Sequence, residues 1–187
     1  MIVLFVVLCV VFGTALILTA FGSSLRQGEG WREVCLFFGL GALAIIGAMT
    51  YTLGKHSYGY YGLGDLGVFL FFGLLSTVGA FYLQVQTVSL EIFALGSAIG
   101  LPCVGVLNLN NIRDMQNDRL HGKHTFASLL GPTGARVYHT VLLLGCLALC
   151  AAFGHWWTLC ILPVWAWHLY YLWIHPERLD RQMPVLM

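Results

Sequence analysis

Three features of the sequence predict an all-α fold, a multi-pass transmembrane bundle of six helices. The chain is 59% hydrophobic and only 9% charged, and its mean hydropathy of +0.82 lies far from the composition of soluble domains. Apolar runs of about 18 to 20 residues, enough to cross a bilayer core, recur between short polar breaks. The runs are continuous and show no alternation of period two, and a spanning segment must satisfy its backbone internally, so helices are the practical solution.

The first run, residues 1–21, has no basic stretch ahead of it and no small-residue cleavage site, and reads as a retained membrane helix instead of a signal peptide. The second, residues 33–51, carries Gly39, Gly41 and Gly47, which in lipid let neighbouring helices approach closely. Residues 66–83, 90–107, 137–153 and 156–174 supply the other four. Between them, residues 22–32, 84–89 and 154–155 read as plain connections. Cys9, Cys35, Cys103, Cys146, Cys150 and Cys160 lie in or beside apolar runs without metal-ligand spacing and read as small hydrophobes. His139, His155, His168 and His175 fall near the ends of these runs and read as interfacial.

The polar breaks set the orientation. Alternating sides puts Lys55, Arg113, Arg119, Lys123, Arg136, Arg178 and Arg181 on one face and only Arg26 and Arg32 on the other, so the first face is expected to be cytoplasmic. Two longer polar segments, residues 51–65 and 108–136, then share that side as loops. A net charge of +1 with scattered basic residues excludes nucleic acid as a partner; membrane lipid is the expected surrounding.

Within residues 108–131 the oily sequence changes abruptly, and Arg113, Asp114, Asp118, Arg119, His121, Lys123 and His124 crowd together. Asp114 and Asp118 are four apart, so on a helix their carboxylates share one face, where like charges repel. A cation between them relieves the repulsion, and Mg²⁺, which binds oxygen through one or two carboxylates plus substrate phosphates, is the natural candidate. Arg113, Arg119 and Lys123 would supply a phosphate-binding surface. The plainer alternative is a solvated loop whose charges only fix topology. His121 and His124 flank the segment without metal-site geometry.

The stretch NNIRDMQNDRLHGKHT resembles the second aspartate-rich motif of the UbiA-type membrane prenyltransferases, particularly the branch acting on 1,4-dihydroxy-2-naphthoate in menaquinone synthesis. YTLGKHSYGYYGLGD, residues 51–65, resembles the loop that this branch carries between its catalytic halves. The resemblance covers nearly the whole chain and departs at Leu129, usually arginine, and Ser57, usually proline. It implies one prenyltransferase domain over residues 1–187, incomplete at both ends, whose helices are roughly the third to eighth of the family's nine. The first aspartate-rich motif, with its metal cluster, is then expected upstream of Met1.

The resemblance also implies chemistry. Asp114 and Asp118 match Mg²⁺ ligands, with Asn110, Asn111 and Arg113 leading into the motif and Arg119 and Lys123 following toward the diphosphate. Tyr51 and Lys55 match a YxxxK element that touches diphosphate; a snorkelling lysine beside an interfacial tyrosine is the alternative. Asp65, charged at the mouth of a membrane helix, is a further candidate, with a helix-dipole role as its alternative. The implied substrates are a polyprenyl diphosphate and 1,4-dihydroxy-2-naphthoate, with loss of CO₂ and diphosphate at the cell inner membrane. Alternatives are another aromatic acceptor such as 4-hydroxybenzoate, or a catalytically dead chain that only binds prenyl lipid.

Overall fold

A computed structural model of the chain describes residues 2–52 and 58–175. Among these residues there are no strands. Six helices follow one another: α1 (Ile2–Arg26), α2 (Trp31–Thr52), α3 (Gly64–Val85), α4 (Leu90–Leu120), α5 (Phe126–Ala152) and α6 (Leu162–Ile174). The first five are long and apolar enough to cross a membrane, and the chain is a multi-pass membrane protein.

α1 and α2 form a hairpin whose turn uses Gly28 and Gly30, both at positive φ. It is fastened near the turn by Phe21, Phe37 and Tyr82, with ring centroids 5.7 to 6.4 Å apart, which brings in the far end of α3. α4 is the centre of the bundle and packs on α3 and α5, while α6 packs on α5. Its wall toward α3 is made of glycines. A Cβ added at Gly73 would lie 2.6 Å from Gly100 Cα and 2.8 Å from the Gly96 carbonyl, so the two backbones touch. α3 takes a π-helical turn over Phe69–Leu75 at this crossing. α2 and α3 stand further apart, bridged by the Phe71 ring against Gly47, and enclose an apolar groove of about 810 Å³ that runs from Tyr58 to Phe93.

Three expectations are corrected here. The segment 108–136 is not a loop: α4 continues to Leu120 and α5 begins at Phe126. The fall in hydropathy marks where lipid ends, not where the hydrogen-bonded backbone ends, and 31 residues at 1.5 Å each give about 46 Å, well beyond a core of about 30 Å. His139 and His168 are not interfacial. Both are fully buried and meet Nε2 to Nε2 at 3.0 Å, linking α5 to α6. The sixth run is not one α-helix either, because Trp156–Ile161 is a 3₁₀ segment and α6 follows it with Pro163 in its first turn. The looser rise of the 3₁₀ form lets the two pieces together still cover about 30 Å.

The glycine crossing yields a test. Gly73→Ala should lower the thermal unfolding midpoint in detergent by several degrees, since overpacking against backbone costs about 1–3 kcal/mol. Gly39→Ala, where an added Cβ meets nothing within 4 Å, should leave it unchanged. Equal midpoints would mean that α3 and α4 are not in backbone contact.

Candidate active site

The last turns of α4 carry the motif on a helix pressed against α5. Asn108, Asn111, Met115 and Asp118 form its buried face. Asn108 Nδ2 donates to the Ala135 carbonyl at 3.0 Å, tying the two helices together just before the motif.

The sequence ends α4 in a particular way. Gly122 has φ +68°, its N–H donates to the Arg119 carbonyl at 3.2 Å, and the Lys123 N–H reaches back to the Asp118 carbonyl at 2.9 Å. That pair of bonds closes a helix with a left-handed residue just past its end, where glycine carries no Cβ penalty. The reversal folds Lys123 over the helix end, and its Nζ donates to Asp118 Oδ2 at 3.0 Å. Thr125 then caps α5, its hydroxyl accepting from the Ser128 N–H at 3.2 Å.

The other half of the motif is more exposed. Asp114 accepts a bidentate pair from Arg113, Nε to Oδ1 at 2.7 Å and Nη2 to Oδ2 at 2.8 Å. Each motif carboxylate thus has its own cation, which offsets the repulsion of two anions one turn apart. Arg119 points elsewhere. α5 breaks at Gly131 (φ 73°, ψ 175°), a region open essentially to glycine alone, and the turn before the break has carbonyls without helical donors. Arg119 Nη2 supplies one of them, donating to the Ser128 carbonyl at 3.0 Å. Leu129, beside it, is exposed.

The second sequence block joins this end of the bundle. Tyr58–Tyr61 forms a short 3₁₀ turn, and the His124 N–H donates to the Tyr60 carbonyl at 2.9 Å. Tyr51, Gly59, Tyr60, Asn117, Asp118, His121 and Lys123 line a cavity of about 380 Å³. The Tyr51 and Tyr58 rings touch at 5.4 Å, and Tyr58 also lines the apolar groove, so the polar cavity and the groove adjoin. Burial raises the Tyr58 phenol above its ordinary pKa.

Of the residues singled out in the sequence, Tyr51, Asp118 and Lys123 meet in this cavity. Asp114 and Arg113 pair one turn earlier on α4, Asn111 is buried and Asn110 half-buried, and Arg119 serves the Ser128 carbonyl. Asp65 lies in the first turn of α3. Lys55 falls outside the described residues, as does Ser57. Asn117 and His121 were missed as lining residues. They are held together by the 2.8 Å contact of His121 Nδ1 with the Asn117 carbonyl, and the i,i+4 spacing of these two polar residues was a usable signal. Asn108 and Tyr138 were missed as well, because their partners lie on other helices.

No group of three or more His, Cys, Asp or Glu side chains gathers among the described residues. The donors available at the motif are two carboxylates and an amide, all oxygen, which fits a hard divalent cation completed by substrate oxygens and not a closed protein cage.

A helical membrane bundle with a charged, oxygen-rich cavity at one end defines a class, and the chain belongs to the UbiA prenyltransferase family, which matches it over residues 2–185. It is 44% identical over 131 residues to the 1,4-dihydroxy-2-naphthoate octaprenyltransferase of Escherichia coli (strain K12), covering 70% of this chain and 42% of that protein. Identity to the Haemophilus influenzae protein of the same name is 46% over 115 residues, 62% of this chain and 37% of the relative. UbiA prenyltransferase domain-containing protein 1 of Mus musculus is 39% identical over 110 residues, 58% and 31% respectively. These matches span less than half the length of each relative. No solved structure matches.

Gly122→Val should lower the unfolding midpoint and release Lys123 from Asp118, because a β-branched residue in the left-handed region is strained by about 1–2 kcal/mol. Gly122→Asn, which tolerates that region, should stay close to the parent. An added Cβ there meets nothing within 4 Å, so a loss common to both variants would point away from backbone conformation.

Proposed function

We propose that the protein moves a polyprenyl group from its diphosphate onto 1,4-dihydroxy-2-naphthoate, giving demethylmenaquinone in its reduced, quinol form with loss of CO₂ and diphosphate. The observation that carries this reading is the cavity in which Asp118, Lys123 and Tyr51 meet, in a member of a prenyltransferase family in which two of the relatives named above are 1,4-dihydroxy-2-naphthoate octaprenyltransferases. The adjoining apolar groove supports it, since a polyprenyl diphosphate needs one polar and one oily compartment in contact.

The roles follow from charge. As the bond from prenyl C1 to oxygen breaks, its electron pair passes to the diphosphate, and cations fixed there lower the barrier. Lys123 is held in place for that anion by Asp118, and Tyr51 offers a hydroxyl in the same cavity. Arg113 and Arg119 add positive potential around the motif, and Lys55 completes the YxxxK pattern with Tyr51. Asp114 and Asp118 would hold Mg²⁺, which when bound neutralises charge developing on the leaving group. The ring carbon bonds to C1 and the carboxylate departs as CO₂, leaving its electron pair in the ring. Asn110 and Asn111 supply neutral polar groups at the base of the motif. The motif end faces the cytoplasm, and the membrane is the cell inner membrane, in keeping with the basic residues of that end.

The test uses membranes bearing the protein expressed from its natural gene. Asp118→Asn and Asp114→Asn should each reduce prenyl transfer by about 100-fold or more, on the scale of losing transition-state charge stabilisation, with membrane insertion unchanged. Near-parental turnover in both would remove the motif from the mechanism. Membranes that prenylate 4-hydroxybenzoate and ignore the naphthoate would replace the acceptor assigned above.

A further inference from the structure

Asp65 is the carboxylate of this end of the bundle, among the described residues, that the scheme above does not use. It sits in the first turn of α3, where the helix dipole favours an anion, and the Tyr138 phenol of α5 lies beside it, near enough to interact with its carboxylate. Its Oδ2 is buried with no hydrogen-bond partner. A buried acceptor left unpaired costs about 1–3 kcal/mol, and such an atom in a native site calls for an explanation, a missing ligand among them.

The surroundings narrow the ligand. A Cβ at Gly64 would lie 3.3 Å from Tyr51 Cε2, and one at Gly67 would lie 2.9 Å from the Tyr58 hydroxyl. The two glycines, one turn apart, therefore let two phenol rings rest on the start of α3. Tyr138 brings a third, its ring held edge-on by Phe126 at 4.8 Å. Tyr51 rests on the start of α3 and also lines the polar cavity, so it connects the surroundings of Asp65 with that cavity. A diphosphate is an anion without donors and is repelled by a carboxylate. A hydroxyarene brings an O–H donor and a flat face suited to phenol rings.

We propose that Asp65 Oδ2 accepts a hydrogen bond from a ring hydroxyl of the aromatic acceptor, with Tyr138 as a positioning residue that orients the carboxylate. This rests on the proposed function and extends it by assigning the acceptor side of the site. The hydroxyl donates and keeps its proton. The carboxylate beside the ring favours the positive charge that the ring acquires as it bonds to carbon, so Asp65 contributes to the transition state as well as to binding.

The experiment compares two kinds of acceptor in membranes bearing the naturally encoded protein: the naphthalenediol carboxylate and its two mono-methyl ethers. For the free diol, Asp65→Asn should raise acceptor KM at least tenfold and leave KM for the prenyl diphosphate within twofold. Asp65→Glu should recover part of the loss, and Tyr138→Phe should give a smaller loss of the same kind. For one of the two ethers, the parent and Asp65→Asn should become equal, because the hydrogen bond is already absent. Equal losses with the diol and both ethers would overturn the assignment in favour of a purely structural carboxylate, as would a shift confined to the diphosphate KM. If Asp65→Asn does not insert, Tyr138→Phe is judged by the same ether comparison. An unmodified protein that prenylates none of these acceptors would bring down the proposed function and this assignment together, an outcome distinct from a failure of the variants alone.

Discussion

The closed end of α4 is the arrangement on which the rest of the site depends. A helix that leaves the apolar layer still intact delivers Asp114 and Asp118 one turn apart, and its termination at Gly122 returns Lys123 to the second of them. The same reversal starts α5 within five residues, so α5 must lie against the motif face of α4. Asn108 on Ala135 holds that contact below the motif and Arg119 on Ser128 holds it above. A cap with different geometry would separate charge from counter-charge and helix from helix at once.

Much of this was legible in the sequence because it is local. Hydropathy located five helices well enough to place the polar segments, and the spacing of Asp114 and Asp118 needed only the helical period. That the two polar blocks share one end followed from counting crossings, and the Tyr60–His124 bond bears it out. What escaped was non-local or set by backbone conformation. The sequence reads Arg119 for its charge alone, and its bond to the Ser128 carbonyl depends on the break at Gly131, twelve positions along. His139 and His168 each look interfacial, and only a packed α5–α6 pair shows that they answer one another. The end of α4 was misplaced because charge density says nothing about where a helix stops.

Lipid sharpens the consequences of such pairings. Within the hydrocarbon a polar group has no water to fall back on, so it is satisfied by protein or it is expensive. The His139–His168 contact satisfies one nitrogen of each ring in this way, one Nε2 donating and the other accepting. The glycine crossing of α3 and α4 is the apolar counterpart, where dispersion between touching backbones replaces a hydrophobic drive that lipid does not provide. Drawing α3 toward α4 leaves space on its other side, and that space is the groove between α2 and α3. The close contact and the cavity are thus two results of one placement of α3.

The ion pairs also decide which cations remain available to an incoming anion. Lys123 has a flexible stem whose immobilisation costs up to about 2 kcal/mol of rotamer entropy. Asp118, itself buried, already holds that stem with the ammonium at the cavity wall. The ammonium has three donors and uses one on Asp118, so the others stay free for a second acceptor without breaking the pair. Arg119 is restrained by the Ser128 carbonyl through one of its five N–H groups, which leaves its fork partly open on an exposed surface. Structural anchoring and anion binding are therefore compatible at both residues, and in each case the anchor fixes a charge before a ligand arrives.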